Sequence, residues 1–340
     1  MLRLFDQIDA LLARDPAGRR LPAIARRREL AGWEKLVDTL AIERPVVAIV
    51  TGFCVTTAKP AAAETDGPPG ALALAALLTE LGAEVALVTD RFGVPLLEAG
   101  CELLGLSRAM IDDMPLASEV GDPAPALWTT SWLRGPIGSR LTHLIAIERV
   151  GPSHTLPSLR EQSRTGLPAP IARFEQLVGP AERDICHNMR GQSIDAVTAP
   201  THLLFEAVTS RTRQVTTIGM ADGGNELGCG AILWEEIVAA LGEKPGARIA
   251  CRIATEHLLL AGVSDWAAYA ACLAIAERLG RRAALAELTC ERQQRLLKAL
   301  VEAGAVDGCT ARREVSVDGL PPTEYLAPLA ELRSLVGLSP

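Results

Sequence analysis

Val46-Val47-Ala48-Ile49-Val50 is apolar without a break and mostly β-branched. A strand with one wet face would alternate, so this run predicts a strand buried on both faces in a parallel sheet. A glycine-rich acidic loop follows, Glu64-Thr65-Asp66-Gly67-Pro68-Pro69-Gly70, and then an alanine- and leucine-rich stretch over 71–81 that Gly82 stops. Two prolines suit a helix's first turn. The stretch 83–89 reads as the next buried strand, which completes a βαβ unit with an expected right-handed crossover.

The same anatomy recurs far along the chain. A strand over 215–218 leads into Ala221-Asp222-Gly223-Gly224-Asn225-Glu226-Leu227-Gly228, and a helix over 231–241 comes next. Glycine lets the backbone turn tightly and approach a ligand, a helix N-terminus offers unpaired N–H groups to an anion, and carboxylates hold hard cations. Oxygen-only ligands of this kind favour magnesium, calcium or manganese over zinc. Each loop also has a plain structural reading. Asp66 could cap the helix that follows it, and the Asp222 loop could be a tight turn or a cap.

Helices are expected over 2–13 and 22–40, 94–104, 200–210, 267–279 and 289–303, and strands over 141–147, 249–255 and 258–263. The stretches 110–140 and 151–170 read as irregular, the first as a long loop or lid. The tail after Gly308 suggests a strand pair and a short helix. The alternation implies an α/β fold: a doubly wound, mostly parallel sheet flanked by helices, with an N-terminal helical segment. Ligands of such sheets bind beyond the C-terminal strand ends. Asp66, Glu148, Asp222, Glu226 and Asp265 all follow predicted strands, so one crevice could gather them.

Bulk properties narrow the partners. The chain has 340 residues, 49% apolar and 22% charged, with a formal net charge of -7. There is no cationic excess to neutralise phosphates, which argues against nucleic acid and anionic membranes. No apolar stretch approaches the roughly 18 residues of a membrane span. Arg14, Arg19, Arg20, Arg26, Arg27, Arg28 and Lys35 gather near the N-terminus among acids, and we read them as a solvated helix face rather than a leader. Eight cysteines without a Cys-x-x-Cys spacing suggest reduced, mostly buried thiols in a cytoplasmic setting. Cys186-His187 reads as structural, since adjacent side chains point apart.

The first loop lacks both the Walker and the dinucleotide glycine spacings, and no nucleophile elbow is present. Glu148-Arg149 and Asn188-Met189-Arg190-Gly191 add guanidiniums suited to a carboxylate or phosphate, or to ordinary ion pairs. Asp265, before Trp266, is a helix cap or a site acid.

Thr51-Gly52-Phe53, the loop from Glu64 to Ala71, Glu148-Arg149, Asn188 to Gly191, Asp222 to Gly228, and Val263-Ser264-Asp265-Trp266 together resemble the ordered motifs of the D-glutamate cyclase-like family. The resemblance runs over about 1–338 and includes Val317-Asp318-Gly319-Leu320-Pro321. The chain departs from the family pattern in having Cys186-His187 where relatives often carry an aromatic pair, and Met220-Ala221 before Asp222 where they usually carry glycine.

The resemblance implies a single α/β catalytic domain over 1–340, with N-terminal helices over 1–41 and an α/β core over 42–340. It also implies a lyase that cyclises D-glutamate, or a close analogue, to 5-oxo-D-proline with loss of water. A manganese-dependent phosphatase is a second activity assigned within the family, and a non-enzymatic small-anion-binding protein is a third reading. In the cyclase reading Asp66, Asp222 and Glu226 hold a divalent cation, manganese or magnesium. Glu64, Glu148 and Asp265 are the catalytic acids. Thr51, Gly67, Gly70, Arg149, Asn188, Arg190, Gly223, Gly224 and Asn225 surround a small-molecule carboxylate substrate, whose α-carboxylate meets Arg149 or Arg190 and the helix N-terminus after Gly67. Self-association is compatible with the sequence.

Overall fold

The β-branched run forms β1 (Val46–Thr51), the central strand of a six-stranded parallel sheet in a computed structural model that describes residues 2–209 and 214–339. A short antiparallel pair follows it, β2 (Cys54–Val55) and β3 (Ala62–Ala63). The sheet continues with β4 (Glu84–Thr89), β5 (Ile111–Asp113), β6 (His143–Ile147), β7 (Thr216–Ala221) and β8 (His257–Leu260). Its order is β5-β4-β1-β6-β7-β8, with Val47 opposite Val85 on one side and His143 on the other. Chain order therefore runs outward from β1 in one direction and then restarts at β6 in the other. The gap between the ends of β1 and β6 is the topological switch point where such sheets open a crevice.

Burial explains the unbroken apolar strands. Val47 and Ile49 of β1 enter one hydrophobic core and Ala48 and Val50 enter the other. The first core holds α1 (Leu2–Leu12), α3 (Trp33–Leu40), α4 (Pro68–Glu80), α5 (Val94–Leu104) and the helix Ser264–Arg278. The second holds α2 (Leu21–Arg27), the helix His202–Thr209 and the helix Trp234–Leu241. Ser210, the expected end of the 200–210 helix, lies outside the described residues. The helix Ser264–Arg278 is buried on nearly every face and packs along α4. Alanines at the contact allow the close approach, and a Cβ on Gly70 would come within 2.8 Å of that of Ala268.

Three expectations are corrected. The 110–140 stretch is not a loop or lid: it holds the edge strand β5 and the helix Ala124–Arg134, whose Trp132 donates to Asp112 at 2.8 Å. The 151–170 stretch contains the short helix Leu156–Glu161 behind a Thr155 cap. The 249–255 strand is absent; a helix ends at Ile249 and the following backbone bonds to loops, Cys251 N to Gly224 O at 3.0 Å and Arg252 N to Pro152 O at 2.9 Å. Beyond Ile249 the segment pairs only through isolated bridges with loop residues, Cys251 with Ser153 and Ala254 with Cys229. No described helix is long and apolar enough to cross a membrane, and the eight cysteines are free thiols, six of them buried.

Candidate active site

The two acidic loops meet. Asp66 follows the β2–β3 hairpin, Glu148 follows β6 and Asp222 follows β7, and one carboxylate oxygen from each lies within 4.8 Å of the others. Beside this triad a cavity of about 240 Å³ is lined by Glu64, Glu148, Asp222, Glu226 and Asp318, with Asn188, Met189, Arg190 and Asn225 on one wall. Phe53, Cys54, Val55, Thr56 and Thr57, leading into and out of β2, form another wall, and Arg19 reaches in from the N-terminal segment.

Backbone geometry sets Glu148. It holds φ 44, a left-handed conformation rare for a long side chain and one that clusters at functional sites. A Cβ on Gly67 would lie 2.6 Å from that of Glu148 and 2.9 Å from Thr51 Oγ1, so glycine is what lets the first loop pass over the β1 and β6 ends. Gly67 also has φ 94. Ser264 Oγ donates a short bond to Glu148 Oε2. Glu64 is backed by its own N–H on Phe53 O at 2.9 Å, and its Oε1 is buried with no partner. Asn225 donates Nδ2 to His187 O at 2.9 Å and leaves Oδ1 buried and unpartnered.

Electrostatics follow from packing many acids together. Burial pushes the carboxyls of Glu64 and Glu148 well above the usual range, and neighbouring carboxylates, Asp318 for Glu64 and Asp222 for Glu148, push further. Burial raises Asp222 to about 6 even though Arg19 opposes it. The donor set suits a hard divalent cation: all oxygen, three carboxylates in mutual reach, and two further buried oxygens unspent.

Several expected roles do not survive the geometry. Arg149 is 1% exposed and fully engaged, donating to Gly52 O at 2.7 Å, Ala199 O at 2.8 Å and Thr201 Oγ1 at 3.2 Å while pairing with Asp90 at 2.8 Å. It ties strand ends and loops together and offers no fork to a ligand. The α4 N-terminus is not open to an anion either, because Asp265 Oδ1 accepts from Gly67 N at 3.0 Å and Gly70 N at 2.7 Å. Asp265 is therefore a cap, its second oxygen taken by Tyr325 OH at 2.7 Å, and it stands outside the cavity, as does Gly70. Glu226 turns back on its own loop, accepting from Gly223 N at 2.8 Å and Cys229 Sγ at 3.5 Å, so Glu148 takes its place beside Asp66 and Asp222. Gly223 and Gly224 shape that loop; Gly224 has φ 89. Asn188 accepts from Arg190 N and Gln192 N at 3.0 Å, which holds the turn that leaves Arg190 exposed at the mouth.

Two residues were missed. Asp318 belongs to an Asp-Gly turn, the same acid-glycine signal as the two loops, in a tail motif that the resemblance includes but to which no site role is assigned. Arg19 lay in the basic run read as a solvated face. Its side chain is only 15% exposed and its guanidinium pairs with Asp222, with Asp318 Oδ2 3.6 Å away. Composition cannot separate one arginine of a run from its neighbours.

A family model described as D-glutamate cyclase-like, C-terminal, matches residues 8–176 and 171–333. The chain is also similar to a human (Homo sapiens) protein described as D-glutamate cyclase, mitochondrial: 28% identical over 270 residues, covering 79% of this chain and 38% of that protein. The chain thus spans well under two thirds of that relative's length.

Proposed function

The chain belongs to the D-glutamate cyclase-like family, and from that premise we propose that it is a lyase that closes D-glutamate, or a close amino-acid analogue, to 5-oxo-D-proline with loss of water. The observation that carries this reading is the mutual approach of Asp66, Glu148 and Asp222 within 4.8 Å beside a small cavity. A volume of about 240 Å³ is below the range of drug-sized ligand sites and suits a small metabolite.

Cyclisation requires the substrate's ammonium to lose a proton, its nitrogen to bond to the side-chain carboxyl carbon, and a C–O bond to break as water leaves. Glu64 suits the first task, having a buried, unpartnered oxygen in the cavity and a carboxyl whose affinity for a proton is raised by burial. Asp66, Glu148 and Asp222 would hold a divalent cation, manganese in our reading, which supplies Lewis-acid polarisation of the carboxylate under attack. Asn225 Oδ1 is placed to accept from the substrate amine. Arg190 at the mouth favours entry of a carboxylate.

The acid excess favours this reading over a phosphatase. Glu64, Glu148, Asp222, Glu226 and Asp318 offer partners to a substrate's ammonium group, which a phosphoester dianion lacks. The free, mostly buried thiols support a reducing, cytoplasmic setting.

The test is direct. Purified protein with manganese and D-glutamate should yield 5-oxo-D-proline by chiral chromatography, and the yield should vanish with chelator and in Asp222→Ala. No 5-oxoproline from D-glutamate or close analogues, with manganese or magnesium, sinks the proposal.

A further inference from the structure

Arg19 is the one guanidinium lodged inside the acid-lined cavity among the described residues; Arg190 stays at the mouth. The loop that carries it is built to aim it. Asp15 accepts from Arg19 N at 2.9 Å and Arg20 N at 2.5 Å, Gly18 and Arg20 take φ 67 and 63, and Arg14 is anchored on Glu331 at 2.6 Å. The guanidinium pairs with Asp222, which is also a corner of the Asp66, Glu148, Asp222 triad. Asp222 cannot serve Arg19 and a divalent cation at full strength at once, because two cations on one buried carboxylate repel strongly.

We propose that Arg19 is the residue that selects a carboxylate-bearing substrate: it pairs with Asp222 while the cavity is empty and passes its fork to the substrate's carboxylate when a divalent cation takes Asp222. The inference rests on the cation-assisted cyclase reading. Two buried side chains aimed into the same space, Glu64 and Asn225, each keep an unpartnered oxygen and complete a pocket for the substrate's amine. A planar guanidinium accepts a carboxylate through two parallel bonds, a geometry lysine cannot reproduce. With the cation alone, Arg19 is displaced toward Asp318 and opposes binding. With cation and carboxylate together each charge has a partner, so the two ligands bind better jointly than singly, and by the same factor in each direction.

Calorimetric titration of the full chain with manganese alone, then with D-glutamate present, tests this in wild type, Arg19→Gln and Arg19→Lys. Removing the competing guanidinium should tighten manganese binding in Arg19→Gln by about tenfold, while D-glutamate should tighten it by about fivefold or more in wild type and by clearly less in Arg19→Gln, where only the direct contact between cation and carboxylate remains. Arg19→Lys guards against a folding defect: it should bind manganese alone as wild type does, yet lose most of the coupling. Manganese binding in Arg19→Gln that is no tighter than wild type, or coupling that is absent from wild type or undiminished in Arg19→Gln, overturns the proposal. Coupling that weakens without Arg19 in a protein forming no 5-oxoproline would sink the cyclase reading and leave this inference standing. Turnover with an equal KM in wild type and Arg19→Gln would do the reverse.

Discussion

Asp66 and Asp265 cap each other's helices. Asp66 Oδ1 and Oδ2 accept from Asp265 N at 3.0 Å and Ser264 N at 2.9 Å, while Asp265 Oδ1 accepts from Gly67 N at 3.0 Å and Gly70 N at 2.7 Å. Two carboxylates thus satisfy the open N–H groups of both α4 and the helix Ser264–Arg278, and each sits in the favourable field of the other's helix end. The exchange locks the first acidic loop to the loop after β8 and holds Asp66 beside Glu148 and Asp222.

Asp265→Ala strips the buried Gly70 N–H of its acceptor, while Gly67 N–H keeps Asp66 Oδ1 at 2.9 Å and the Tyr325 hydroxyl keeps that of Tyr269 at 2.6 Å. We expect a loss of about 1–3 kcal/mol in urea unfolding, the cost of one stranded buried group. Asp265→Asn retains one acceptor oxygen and should cost less. A loss below about 1 kcal/mol for the alanine variant would contradict the reciprocal cap.

Glu148 pays backbone strain for its place. Glycine adopts φ 44 freely, so Glu148→Gly should raise stability by about 1 kcal/mol, while manganese affinity drops by about 100-fold or more as a ligand is lost. Stability that falls together with manganese affinity would mean that the strained conformation is not held for the site.

Arg149 and Arg19 should behave oppositely. Arg149→Ala strands Asp90 in a dry environment and should cost about 3–5 kcal/mol, with no change in KM for the protein that remains folded. A raised KM would return Arg149 to the substrate site.

Proton linkage gives the fourth expectation. Burial raises Asp222 and Asp265 from 3.8 to about 6, so the folded chain retains protons that the unfolded chain releases. Their contribution to stability is complete below pH 3.8 and is lost as pH rises through 6. Without metal, the contribution of these groups lowers the melting temperature from pH 5 to pH 7.5. Manganese prefers the deprotonated carboxylates, so the rise it produces should be larger at pH 7.5 than at pH 5, and chelator should remove it. Calorimetric scans with an equal manganese effect at both values would contradict the assignment.

Both the legible and the illegible parts have physical causes. Val46 to Val50 announced burial on two faces because each face of β1 meets its own core. The stretch 249–255 carried the same apolar character and is no strand, since only the fold determines whether an extended segment meets a strand or a loop. The acid-glycine loops marked the site because tight turns and carboxylates are local chemistry. What each carboxylate faces is not local. Asp66 and Asp265 look alike in sequence and each caps a helix nearly two hundred residues away, yet only Asp66 also comes within reach of Glu148 and Asp222.

By itself, the sequence determined the α/β class, the parallel sheet and the acidic loops at its C-terminal edge, because these follow from hydrophobic period, turn chemistry and residue type. Only the tertiary structure decided which guanidinium is available. Arg149 is spent on Asp90 and backbone carbonyls, while Arg19, one of several arginines in a basic run, is carried by the turn at Asp15 and Gly18 into the acid cluster. A charge's role depends on which partners surround it, and those partners come together only when distant segments pack.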